Sequence, residues 1–143
     1  MFSPLMQTII EREKFNIVSA NTLDDNAKGK GDVVLFVGGN WQKYVEVNDV
    51  AVILPEIIKA SNGRLSALIL DRESEREVQK RFLFNRFPSL VFLRDGEYLG
   101  TIQKVLDWHD YIIEINKILA GSPKTPPPFE IPDCITPKPN NLN

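Results

Sequence analysis

The chain has almost nothing with which to do redox or hydrolytic chemistry. Among its 143 residues there is one cysteine, Cys134, and one histidine, His109. A lone cysteine excludes an internal disulfide framework, a CxxC redox pair and a cysteine-rich zinc site. A large charge of one sign is missing too. The net charge is −2 and the isoelectric point lies near 5.5. No basic stripe interleaved with aromatics runs through the sequence, so nucleic acid is not an expected partner. No apolar run approaches the roughly 20 residues that cross a bilayer, and no membrane insertion is expected. The opening MFSPLMQTIIEREKF lacks the basic-then-apolar order of a secretory signal. A soluble, reducing, cytoplasmic setting fits these absences, and no cofactor or metal is expected.

What is present is enough for one domain with a real core, since 43% of residues are apolar. Ser3 and Pro4 open a helix over 3–14 with Leu5, Ile9 and Ile10 on its apolar face. Phe15, Ile17 and Val18 read as a short strand, and Asn21 caps a brief helix over 22–26. DVVLFVGG, residues 32–39, is a continuous apolar run closed by glycines, the mark of a strand buried on both faces. VAVILPEIIKAS, residues 50–61, is helical around Pro55 and stops at Asn62 and Gly63. LSALIL, residues 65–70, is a second buried strand. Ser74 with Glu77 forms a capping box for a helix reaching Phe82. The runs 88–93 and 97–103 flank Asp95-Gly96, a hairpin signal. Asp107 caps a last helix that ends at Gly121, with Trp108, Tyr111, Ile112, Ile115, Ile118 and Leu119 on one face. Two parallel strand–helix units, an antiparallel hairpin and a closing helix make an α/β mixed sheet of four to five strands with helices on both faces. Residues 1–121 form this domain. Residues 122–143 hold seven of the ten prolines and read as a disordered, polyproline-like tail.

This layout resembles the thioredoxin fold. RFPSLVFLRDGEYLG has that fold's proline before a strand and a glycine-containing turn after it, and the resemblance implies a cis Phe87–Pro88 bond. Pro55 stands where thioredoxins carry a proline in the helix after their active-site motif. Counting back from Pro55, the two cysteine positions fall on Val47 and Val50. Dithiol chemistry needs a low-pKa thiolate and a resolving thiol, and neither is there. VVLFVGG also lacks the buried acid of the preceding strand. His109 reads as a surface histidine and Cys134 as an incidental exposed thiol, so no catalytic residue is assigned. Gly38-Gly39 begins no phosphate-loop motif.

Three stretches together narrow the family: EVNDVAVILPEI at the active-site position, FNRFPSLVFLRDGEYLGTI at the proline and hairpin, and VLDWHDYIIEI after them. They resemble the HyaE/HupG/HoxO-type accessory proteins of nickel–iron hydrogenase maturation over roughly residues 4–120. The resemblance implies a cytoplasmic chaperone that binds the twin-arginine signal peptide of the hydrogenase small subunit before export. A receptor for two guanidinium groups and an apolar segment needs carboxylates beside an apolar groove. The residues offered for this are Glu46 and Asp49 at the helix start, Glu56 one turn on, Phe87 and Pro88 at the groove, and Asp71 and Glu73 from a second acidic cluster with Glu75 and Glu77. Plainer readings stand beside these: helix-dipole compensation for Glu46 and Asp49, and an ordinary solvated helix start for the second cluster, which Arg72 and Arg76 interrupt. Trp41 is either a contact residue or a core anchor. Two other functions stay open, a scaffold docking other hydrogenase assembly factors and a thiol oxidoreductase or peroxidase.

Overall fold

A computed structural model describes residues 1–127. Five strands, β1 (Asn16–Val18), β2 (Asp32–Val37), β3 (Leu65–Leu70), β4 (Ser89–Arg94) and β5 (Glu97–Ile102), form one mixed sheet in the order β1-β3-β2-β4-β5. β1 and β2 both run parallel to β3, and β4 is antiparallel to β2 and β5. The parallel crossovers require helices on the faces, which explains why β2 is buried along its whole length.

Alternation along β2 divides the core. Val34 and Phe36 face α1 (Pro4–Glu13), α3 (Glu46–Ala60) and α5 (Trp108–Ala120), against Leu54, Tyr111 and Ile115. Val33, Leu35 and Val37 face α2 (Leu23–Ala27) and α4 (Glu75–Phe82), against Leu23, Val78 and Phe82. Helices therefore cover both faces, as the sequence predicts.

Several local expectations are corrected. α3 begins at Glu46, four residues before the expected start, because Val47, Val50, Ala51 and Leu54 continue one buried stripe at helical spacing. α1 turns Met6 inward with Ile9 and Ile10, and leaves Leu5 exposed. Trp108 is likewise exposed, and α5 packs through Tyr111, Ile115 and Leu119. Phe15 lies outside β1, and Ile17 on this edge strand is 51% exposed. α2 begins one residue later than expected, with Thr22 rather than Asn21 at its N-cap position. The capping box at Ser74 does not form. Asp71 accepts from the Ser74 N–H and caps a single 3-10 turn over Arg72–Ser74, while the Ser74 hydroxyl oxygen accepts from the Ala20 N–H at 2.8 Å. That longer-range partner ties the loop after β1 to the start of α4.

The hairpin turns at Asp95 and Gly96, both at positive φ. β5 carries a bulge opposite Phe92 and Leu93. Gly100 sits against α5 there: a Cβ at that position would lie 3.0 Å from an Ile118 side-chain carbon, so the close helix–sheet contact favours glycine. The Lys124 N–H donates to the Tyr98 carbonyl at 2.9 Å, which holds the chain after α5 beside β5. Most of the proline-rich tail, from residue 128 on, lies outside the described residues.

Candidate groove at the cis-proline end

Three segments meet at the carboxyl end of β2. Gly38 and Gly39 leave the strand, the loop from Asn85 to Pro88 enters β4, and α3 starts at Glu46. The Phe87–Pro88 peptide bond is cis, as the thioredoxin resemblance implies. Gly39 has φ +78, and a Cβ there would lie 2.5 Å from the Phe87 Cβ. Both the conformation and the contact therefore demand glycine. Phe87 also packs edge-on against Phe84, with ring centroids 5.7 Å apart, and against Tyr44 at 5.9 Å. The loop backbone is tied down by Gln103, whose side-chain oxygen accepts from the N–H groups of Asn85 and Arg86 at 2.9 and 3.0 Å.

These segments enclose a groove of about 950 Å³. Its floor is partly apolar, with Tyr44, Phe87, Pro88 and Val105. Five cations line it, Lys43, Arg72, Arg76, Arg86 and Lys104, against two carboxylates, Glu46 and Glu75. Glu75 is 7% exposed and fully engaged: one oxygen accepts from Arg72 Nε at 3.0 Å and the other from the Gly39 N–H at 2.9 Å. Among the described residues, Lys43, Arg76, Arg86 and Lys104 form no ion pair.

Of the seven residues offered by sequence, the structure brings Glu46, Phe87 and Pro88 together in the groove. Asp49 lies outside its lining, in the first turn of α3 and near Tyr111. Burial raises the pKa of the Tyr111 hydroxyl above the ordinary phenol value, and the Asp49 carboxylate pushes the same way. Glu56 is exposed and 3.6 Å from Lys59. Asp71 is spent on its cap, and Glu73 is exposed. Carboxylates were expected to set the charge of this groove, yet cations do. They come from separate segments, and only Arg72 and Arg76 were visible in sequence, as breaks in an acidic run. Nothing local marked Glu75 as buried.

Val47 and Val50, at the positions of a thioredoxin dithiol, are each 3% exposed and belong to the core. Trp41 packs, partly buried, against the same core. His109 is exposed in the first turn of α5. Cys134 lies outside the described residues. Among the described residues, no group of three or more His, Cys, Asp or Glu side chains could hold a metal ion, and no helix is long and apolar enough to cross a membrane.

A family model described as hydrogenase-1 expression protein HyaE matches residues 5–111. The chain is 38% identical over 131 residues to hydrogenase expression/formation protein HoxO of Cupriavidus necator, covering 90% of this chain and 81% of that protein. It is 39% identical over 139 residues to HoxO of Azotobacter vinelandii, covering 96% and 93%. The crystal structure of a hydrogenase expression/formation protein, HupG, from Rhodopseudomonas palustris CGA009 is similar with a TM-score of 0.54 and 39% identity, covering 73% of this chain and 95% of that one.

Proposed function

This chain belongs to the HyaE family of hydrogenase expression proteins, and on that premise we propose that it is a non-catalytic, cytoplasmic chaperone of nickel–iron hydrogenase maturation. It binds the hydrogenase small subunit through that subunit's twin-arginine signal peptide before export. The observation that carries the binding reading is an intact cis-proline groove beside Val47 and Val50, two buried apolar residues where exchange chemistry would need thiols.

The rim between the starts of α3 and α5 suits the leader. Glu46 and Asp49 occupy the first turn of α3, and Asp107 and Asp110 the start of α5. Val45, Val105 and Trp108 on these segments are 79%, 45% and 42% exposed. Carboxylates of this kind pair with guanidinium groups, and the exposed apolar side chains give a hydrophobic leader segment a surface to cover. The cations on the α4 side repel the two arginines, and that repulsion sets the direction in which the leader lies.

Calorimetric titration tests this with the leader peptide of a hydrogenase small subunit and a copy with both arginines changed to glutamine. The native leader binds, and the glutamine copy binds at least about tenfold more weakly. Glu46→Gln with Asp49→Asn weakens the native leader in the same direction. Absence of binding by either peptide rejects the leader reading, and equal binding by both rejects the role of the arginines.

A further inference from the structure

The basic wall of the groove has no role in holding a cationic leader. Arg72 is engaged by Glu75. Arg76 from α4, Arg86 from the cis-proline loop, Lys43 from the loop after β2 and Lys104 after β5 remain without an ion pair among the described residues. All four are exposed to solvent, and their like charges sum to a positive potential over the groove that attracts a counter-charge. They gather in a chain whose net charge is −2.

We propose that this wall is a second binding site, for an acidic segment of a partner polypeptide. The inference rests on the reading of this groove as a protein-binding face, and not on the leader itself. Charge complementarity selects the ligand's sign. The floor selects its kind. Tyr44, Phe87, Pro88 and Val105 line the same groove as the cations, so a segment carrying both carboxylates and apolar side chains satisfies both parts of the lining. A phosphate backbone would leave the apolar part of that lining uncovered. The acidic segment and the leader then bind adjoining parts of one face, which meet at Glu46 and Val105.

The test uses the full chain and a fluorescein-labelled peptide of alternating glutamate and leucine, read by fluorescence anisotropy. A lysine–leucine peptide and a single-stranded oligonucleotide of equal charge magnitude serve as comparisons. The glutamate peptide binds, with an affinity that falls steeply between about 50 and 500 mM salt. Arg76→Glu with Arg86→Glu weakens it at least about tenfold, whereas Arg76→Lys with Arg86→Lys retains most of the binding. The charge-reversed protein binds the twin-arginine leader at least as tightly as before, since the cations that repel it are gone, so failure of this site and failure of the leader reading are distinguishable. Tighter binding of the oligonucleotide, a loss of lysine-peptide binding on charge reversal as large as that of the glutamate peptide, or indifference of the glutamate peptide to the charge reversal overturns the proposal.

Discussion

The two ends of the sheet each hold a buried carboxylate, and the two are used in opposite ways. Asp32, 8% exposed at the start of β2, accepts from Arg94 at 2.7 and 3.2 Å and from Arg64 at 3.3 Å. The same guanidinium groups donate onward to the Leu119 carbonyl, at 2.7 Å from Arg94 and 3.1 Å from Arg64. Arg94 also donates to the Gly121 carbonyl at 3.0 Å. That end is closed: the charges join β2, β3's entry, β4 and the last turn of α5, and satisfy helix carbonyls that would otherwise lack donors. Glu75, at the other end, holds only its neighbour Arg72 and one backbone N–H, and it faces a groove with further cations around it. One carboxylate completes a network. The other sits in an unbalanced one, and imbalance of charge beside an open cleft is what a binding face needs.

Removing the closed network has the largest effect on folding. Asp32→Asn leaves two arginines facing an amide, and we expect a loss of about 2–3 kcal/mol in urea unfolding, below the range for a fully buried pair because both guanidinium groups reach solvent. The pH dependence follows. Hydrogen bonding from Arg94 depresses the Asp32 pKa in the folded protein, against an opposing effect of burial. A depressed carboxylate stabilises the fold above its unfolded value near 3.9, and that contribution is lost as pH falls through the folded value. The native protein should lose stability below about pH 4, and the Asp32→Asn curve should be flatter there. Binding of leader or acidic peptide should not change at neutral pH, since this network is at the far end of the sheet.

Gly39→Ala should have the next largest effect, and it acts at the groove. The new methyl would sit 2.5 Å from the Phe87 Cβ at a φ of +78, so the backbone or the ring must move. The expected cost is about 1–3 kcal/mol. Unlike Asp32→Asn, it should also weaken peptide binding, because Phe87 forms the floor. A variant with reduced stability but unaltered affinity for both peptides would show that the floor is not part of the site.

Legibility in the sequence divides along the same line. The strands and most helices are readable because burial imposes a pattern: DVVLFV is buried throughout, LSALIL is buried on both faces over its last three residues, and Asp95-Gly96 sets the turn between β4 and β5. The start of α3 was missed because VEVND looks polar, though Val47 and Val50 carry the buried stripe. Phe87 and Pro88 were found at the groove because the cis-proline pattern is local. The charge of the groove was not local. Lys43, Arg76, Arg86 and Lys104 are spread over about 60 positions, and only the fold brings them together. Asp71 and Glu73 read as binding residues for the converse reason. They cluster in sequence, but one caps a turn and the other points away into solvent.

The smallest effect on stability, and the sharpest contrast with Asp32, belongs to Glu75→Gln. Glutamine offers one acceptor oxygen, which can keep the Gly39 N–H or Arg72 but not both, so one donor loses its partner. The cost should be about 1 kcal/mol, because Arg72 is 26% exposed and can turn toward water. The gain in positive charge is the informative part. Arg72 ceases to be neutralised, the carboxylates of the groove fall to Glu46 alone, and affinity for an acidic peptide should rise about two- to fivefold at low salt. The leader should bind slightly more weakly for the same electrostatic reason. A lesion that destabilises the fold while tightening one ligand and loosening another cannot be a packing effect, which would weaken both. Two ligands moving together would mean that Glu75, like Asp32, is a structural carboxylate only.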